Sequence, residues 1–129
     1  MASRTNLFVF VFLMLAIAAL AACGPGGGGG GSTTGQTINV EGGEFFYQPV
    51  DINAKPGERI NVNFKNAGTV EHTFVIKDIN FKLVAQPGQT VKGTFTAPSA
   101  AGTHEIHCDV PGHTEAGMIG KLTVVAANN

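Results

Sequence analysis

Cys108-Asp-Val-Pro-Gly-His113-Thr-Glu-Ala-Gly-Met118 is the stretch on which the reading of this chain turns. A thiol, an imidazole and a thioether follow one another with four residues in each gap, close to the C-terminus. Each has an ordinary explanation when taken alone. A Cys after a strand is usually a small buried hydrophobe, a Met fills core, and Pro-Gly marks a turn. A second imidazole, His72, opens the apolar run His-Thr-Phe-Val-Ile upstream. Thiolate and thioether are soft donors that favour Cu(I), and imidazole suits both copper oxidation states. Two His, one Cys and a weakly held Met therefore form the donor set of a mononuclear blue copper centre, whose business is one-electron exchange.

The sequence around these residues is patterned for strands. Arg59-Ile-Asn-Val-Asn-Phe-Lys65 alternates strictly and places Ile60, Val62 and Phe64 on one face. Thr90 to Thr96 alternates in the same way, with Val91, Gly93 and Phe95 inward, and Gly120-Lys-Leu-Thr-Val-Val supplies a last strand. Pro56-Gly57 and Pro87-Gly88 mark tight turns, and Asn66-Ala-Gly68 and Ala97-Pro98 mark longer connections. No segment of useful length has helical periodicity. Short strands at regular spacing predict an all-β, Greek-key sandwich of about seven to eight strands in one small domain, residues 36–129. In the strand leading to the donor loop, His104, Ile106 and Cys108 share one face and Glu105 and His107 the other. His104 is thus expected to be a hydrogen-bonded, semi-buried residue and His107 to point outward.

The N-terminal third reads differently. Arg4 is the sole charge before Glu41, and an apolar run from Leu7 to Leu20 follows it. Residues 1–22 read as a secretory signal, whose apolar run is too short to span a hydrocarbon core of roughly 30 Å comfortably. Leu20-Ala21-Ala22-Cys23 resembles the lipobox of bacterial lipoproteins, which implies cleavage before Cys23 and lipid attachment there; an ordinary signal peptide with a chance Cys is the alternative. Residues 23–35 would then be the lipidated Cys and a Gly-rich tether with nothing to bury, reaching roughly 20 Å. Export permits a Cys23–Cys108 disulfide, but it would tie a flexible tail to a core strand, and two separate tasks are the simpler division.

The formal charge is −1, with no basic stripe, which argues against nucleic acid as a partner. An enzymatic use of Cys108 as nucleophile with His113 as base would leave Met118 without a role. Three strong donors plus a Met cap also leave no open coordination position for a substrate, so no enzyme is expected. Zinc remains an acceptable occupant of a His/Cys site.

With these residues in view, the chain resembles the cupredoxins, the plastocyanin and azurin family. The resemblance is strongest over Asn66-Ala-Gly-Thr-Val-Glu-His72 and from His107-Cys108 through Met118-Ile-Gly-Lys-Leu-Thr-Val124, and its four-residue Cys-to-His gap is similar to that of the auracyanins. It implies one copper per chain, held by His72, Cys108 and His113 with Met118 as a long axial ligand. It implies an electron-transfer surface of Val110, Pro111 and Gly112 around the outer edge of His113, with Ala116 and Gly117 as further members. It also implies supporting roles for Thr73, which stands where Asn is common in the family, and for Asn66. Glu71 replaces a Gly whose carbonyl approaches copper in azurins, favouring four ligands over five. Together with the lipobox, the resemblance implies an exported monomer, anchored at the outer face of the cytoplasmic membrane or in the periplasm, exchanging electrons with membrane redox proteins. A copper-trafficking or copper-buffering lipoprotein that feeds an oxidase would use the same ligands.

Overall fold

A computed structural model describes residues 35–126. The expected signal segment, Cys23 and all but the last residue of the tether lie outside the described residues, as do residues 127–129. Among the described residues nine strands run β1 (Gln36–Gly43), β2 (Phe46–Gln48), β3 (Asp51–Ala54), β4 (Arg59–Asn66), β5 (His72–Ile76), β6 (Phe81–Ala85), β7 (Thr90–Thr96), β8 (Gly102–His107) and β9 (Ile119–Val124). They form a four-stranded sheet, β2-β1-β4-β7, and a five-stranded sheet, β3-β9-β8-β5-β6. The count exceeds the seven to eight expected. The excess lies in elements such as β2 and β3, three and four residues long, too short to show alternation. The one described helical element is a 3-10 turn, Lys77–Ile79, between β5 and β6.

Both sheets are mixed. β1 pairs parallel with β4, and β3 pairs parallel with β9. Parallel neighbours cannot be joined by a tight hairpin. Between β1 and β4 the chain instead adds β2 to the first sheet, crosses to the second as β3 and returns. The expected alternation holds where it was clearest: Ile60, Val62 and Phe64 are fully buried while Arg59 and Lys65 are exposed. They pack against Phe74 and Ile76 of β5, Ile106 of β8 and Leu122 of β9, all nearly or wholly inaccessible, in one continuous core. Tyr47, Phe64 and Phe74 meet within it at ring-centroid distances of 5.7–6.1 Å. This is the sheet-on-sheet packing that period-two burial requires.

The two Pro-Gly sites are tight turns, closed by Glu58 N–H donating to Lys55 O at 3.1 Å and by Gln89 N–H donating to Gln86 O at 2.9 Å. The connection after β4 is held from inside. Asn66 is wholly buried; its Nδ2 donates to Val70 O at 2.7 Å and Ala85 O at 2.8 Å, and its Oδ1 accepts from Gly68 N–H at 2.8 Å. A buried amide with its groups satisfied fixes the loop that delivers His72.

Candidate metal centre

His72 begins β5, Cys108 directly follows β8, Met118 directly precedes β9, and His113 sits in the loop between the last two. Strand phase explains the burial of Cys108, which continues the inward face of Ile106. The loop is pinned shut by its own backbone. Cys108 N–H donates to Met118 O at 3.3 Å, Met118 N–H to His113 O at 3.0 Å, and His113 N–H to Val110 O at 3.1 Å. Thr114 Oγ1 donates to Cys108 O at 2.6 Å across the neck. Residues ten apart in sequence are thus brought to one end of the sandwich, beside the start of β5.

His72, Cys108 and His113 are all buried, and one donor atom from each lies within 4.8 Å of the others. The Nδ1 atoms of His72 and His113 are 3.1 Å apart, and Cys108 Sγ is 3.3 Å from His113 Nδ1. Donors held by one ion at ~2.0–2.3 Å lie roughly 3–4 Å from one another, and both separations from His113 Nδ1 fall in that range. Burial, and after it the neighbouring His113, lower the pKa of His72, favouring the neutral imidazole that a metal needs. Met118 is completely buried, with its methyl beside Gly42. Two imidazoles and a thiol converging in a dry site, with a thioether buried at the same loop's end, fit a copper ion.

The thiol has close neighbours. Thr73 N–H donates to Cys108 Sγ at 3.4 Å, and Thr73 Oγ1 lies 3.5 Å from the same sulfur. Thr73 Oγ1 donates to Asp109 Oδ1 at 2.8 Å and accepts from Asp109 N–H at 2.9 Å. Lys82 Nζ donates to Asp109 Oδ2 at 2.6 Å. That lysine is the main reason the Asp109 carboxyl titrates below its ordinary range, aided by Thr73. Thr73 is therefore one member of a chain from thiol to surface lysine, of which Asp109 and Lys82 carried no motif. Beneath it, Tyr47 Oη–H donates to Thr73 O, and burial pushes the Tyr47 hydroxyl pKa upward.

Two residues of the β1–β2 turn complete the surroundings, and nothing in the donor spacing pointed to them. Glu44 Oε1 accepts from Thr69 N–H at 2.6 Å, Thr69 Oγ1–H at 3.1 Å and Val70 N–H at 3.3 Å, and it lies 3.5 Å from His72 Nε2. The Thr69 backbone N–H is the largest cause that brings the Glu44 carboxyl down to about 2. Phe45 stacks edge-on to His113 at a centroid distance of 5.0 Å and remains 41% exposed. Pro111, Gly112, Ala116 and Gly117 are exposed, Val110 is half-buried, and His113 keeps 8% of its surface open among them.

The remaining histidines divide as follows. His104 Nδ1 lies 2.8 Å from Asp78 Oδ2 and its side chain is 18% exposed, the semi-buried, hydrogen-bonded state expected. His107 lies on the opposite face, but its side chain is equally covered, with Glu105 Oε1 at 3.4 Å. It occupies a strand flanked on both sides, pairing with Val75 and Ile119; phase assigned its face correctly but not its exposure.

Comparison with known proteins supplies the relationship. The cupredoxin-like domain family matches residues 7–124. The chloroplastic plastocyanin of Hordeum vulgare is 31% identical over 99 residues, covering 67% of this chain and 59% of the relative. The copper-resistant cuproprotein CopI of Rubrivivax gelatinosus is 31% identical over 97 residues, covering 60% of this chain and 59% of the relative. The chain thus spans about three fifths of the length of the curated relatives it matches. Among solved structures, auracyanin A, a "blue" copper protein of Chloroflexus aurantiacus, superposes with a TM-score of 0.60 at 28% identity, covering 69% of this chain and 98% of that one. With its mixed two-sheet sandwich and its His-Cys-His donor cluster at one end, the chain belongs to the cupredoxin-like domain family.

Proposed function

We propose that this protein is an exported type 1 copper protein that carries single electrons between membrane redox proteins, tethered through lipid on Cys23. The observation that carries the reading is the convergence of His72 Nδ1, His113 Nδ1 and Cys108 Sγ, all buried, with Met118 buried at the end of the same loop. In this assignment His72, Cys108 and His113 hold copper strongly and Met118 is the weak axial ligand. Bound copper supplies a one-electron couple. The chain keeps the donors in one arrangement, excludes water and leaves the His113 edge, framed by Val110, Pro111, Gly112 and Phe45, as the contact for partners. The same enclosure leaves no position for a substrate, so in this reading the protein acts as a carrier; the low net charge of −1, with no basic stripe, speaks against a nucleic-acid partner. Among the described residues no helix is long and apolar enough to cross a membrane; the tether is assigned to Cys23, by its sequence context alone.

The test is a visible spectrum during titration with Cu(II). An intense thiolate-to-copper band saturating at one copper per chain is expected. Met118→Leu is expected to keep that band and shift the reduction potential, because the axial ligand tunes the site without holding the metal. Loss of copper from this variant would remove Met118 from the axial role.

A second reading, copper buffering or delivery, is favoured by the likeness to the copper-resistant cuproprotein CopI. The same donors would then release copper readily. Rapid loss to a competing Cu(I) chelator, with no stable blue form, would put delivery first.

A further inference from the structure

The outer nitrogen of His72 is the one solvent-inaccessible side-chain nitrogen of the donor cluster without a hydrogen-bond partner. Nε2 is inaccessible to solvent and makes no hydrogen bond of good geometry. A buried N–H in that condition costs on the order of 1–3 kcal/mol, and a metal-ligating His ordinarily donates its other N–H to a carboxylate, carbonyl or water. The acceptor at hand is Glu44 Oε1, 3.5 Å away. Its approach is built in. Three donors from Thr69 and Val70 orient the carboxylate, and residue 68 is Gly. A Cβ there would sit 2.6 and 2.8 Å from the two Glu44 oxygens and 2.7 Å from His72 Nε2. No side chain fits between carboxylate and imidazole.

We propose that Glu44 is a positioning residue of the metal centre: its carboxylate takes the Nε2 proton of His72 in hydrogen bond, fixes Nδ1 as the inward donor, and sets an anion against the copper ligand set. The proposal rests on the copper reading for its electronic part and stands on the tautomer of His72 for its structural part. An anion beside a ligand favours Cu(II) over Cu(I), so Glu44 holds the reduction potential down. The field of a carboxylate on a neighbouring imidazole is a local electrostatic effect that strengthens with burial; the imidazole is wholly buried and the Glu44 side chain 35% exposed.

The experiment compares the full-length protein with Glu44→Gln. The amide oxygen can still accept from Thr69 and Val70, so the loop keeps its clip while the charge is gone. With copper bound, voltammetry of Glu44→Gln is expected to show roughly a tenfold shift of the couple toward Cu(I), or ~59 mV upward for one electron, with the visible band unmoved. An unchanged potential in a blue variant overturns the electronic part. Nitrogen-15 spectra of the metal-free protein supply the second readout. His72 is expected to carry its proton on Nε2, slow to exchange, and to lose that protection in Glu44→Ala. A His72 protonated on Nδ1 overturns the positioning role. If the parent protein forms no blue site, the copper reading falls, and the nitrogen spectra alone decide Glu44.

Discussion

The two sheets meet at the metal centre with different contributions. The five-stranded sheet and the loop between two of its strands supply all the donors: His72 from the start of β5, Cys108 directly after β8, Met118 directly before β9 and His113 between them. The four-stranded sheet supplies no candidate donor but part of the enclosure. Its Gly42 lies beside the Met118 methyl, its Phe64 packs behind, and its β1–β2 turn brings Glu44 to His72 and Phe45 to His113. The donors therefore gather on one sheet, three from one short loop and His72 from an adjoining strand, while the groups around them come from both sheets: Thr73 reaches Cys108 Sγ from β5, and Gly42, Glu44 and Phe45 arrive from across the core.

That division can be broken by substitution. The largest effect is expected from Cys108→Ser, which removes the soft donor: the thiolate-to-copper band disappears entirely, while circular dichroism of the metal-free form keeps its β signature. Next comes Phe64→Ala in the opposing sheet. Emptying a fully buried aromatic site costs about 3–5 kcal/mol, read as a lower midpoint in denaturant, yet the folded variant is expected to turn blue on copper addition. A folded but colourless Phe64→Ala would show that the enclosure holds the metal after all.

Smaller effects sharpen the boundary. Gly42→Ala places a Cβ 2.7 Å from the Phe64 ring and 3.2 Å from Met118 Cε. Overpacking of this kind costs about 1–3 kcal/mol, and the pressure on Met118 is expected to alter the potential more than the stability of copper binding. Lys82→Met removes the charge that pairs with Asp109, where both side chains are more than a third exposed. The loss in unfolding free energy is expected to stay below ~1 kcal/mol. A much larger loss would show that the Thr73–Asp109–Lys82 chain is a structural support of the thiol and not a surface pairing.

How much of this was legible follows the range of the interactions involved. β4 and β7 are seven or eight residues long and alternate cleanly, so their faces could be read directly. β2 and β3 are too short for a period to appear, and β3 gains its place only by pairing parallel with β9, about seventy residues away in sequence. At the site, Cys108, His113 and Met118 are close in sequence and chemically distinctive. Thr73 was visible as a neighbour of His72. Asp109 was printed beside Cys108 but had no reason to stand out until Thr73 and Lys82 were seen to reach it. Glu44 is an ordinary turn carboxylate by sequence, 28 residues before His72 and next to nothing that binds metal.

By itself the sequence determined the kind of donor and the all-β pattern. These follow from local composition and period, which physical chemistry reads within a few residues. The tertiary structure decided which distant groups meet those donors: the carboxylate at His72, the aromatic edge at His113, the glycine beside Met118 and the cover over His107. Such meetings depend on the register and stacking of two sheets, in which contacts are made across the core and not along the chain, and no local pattern encodes them.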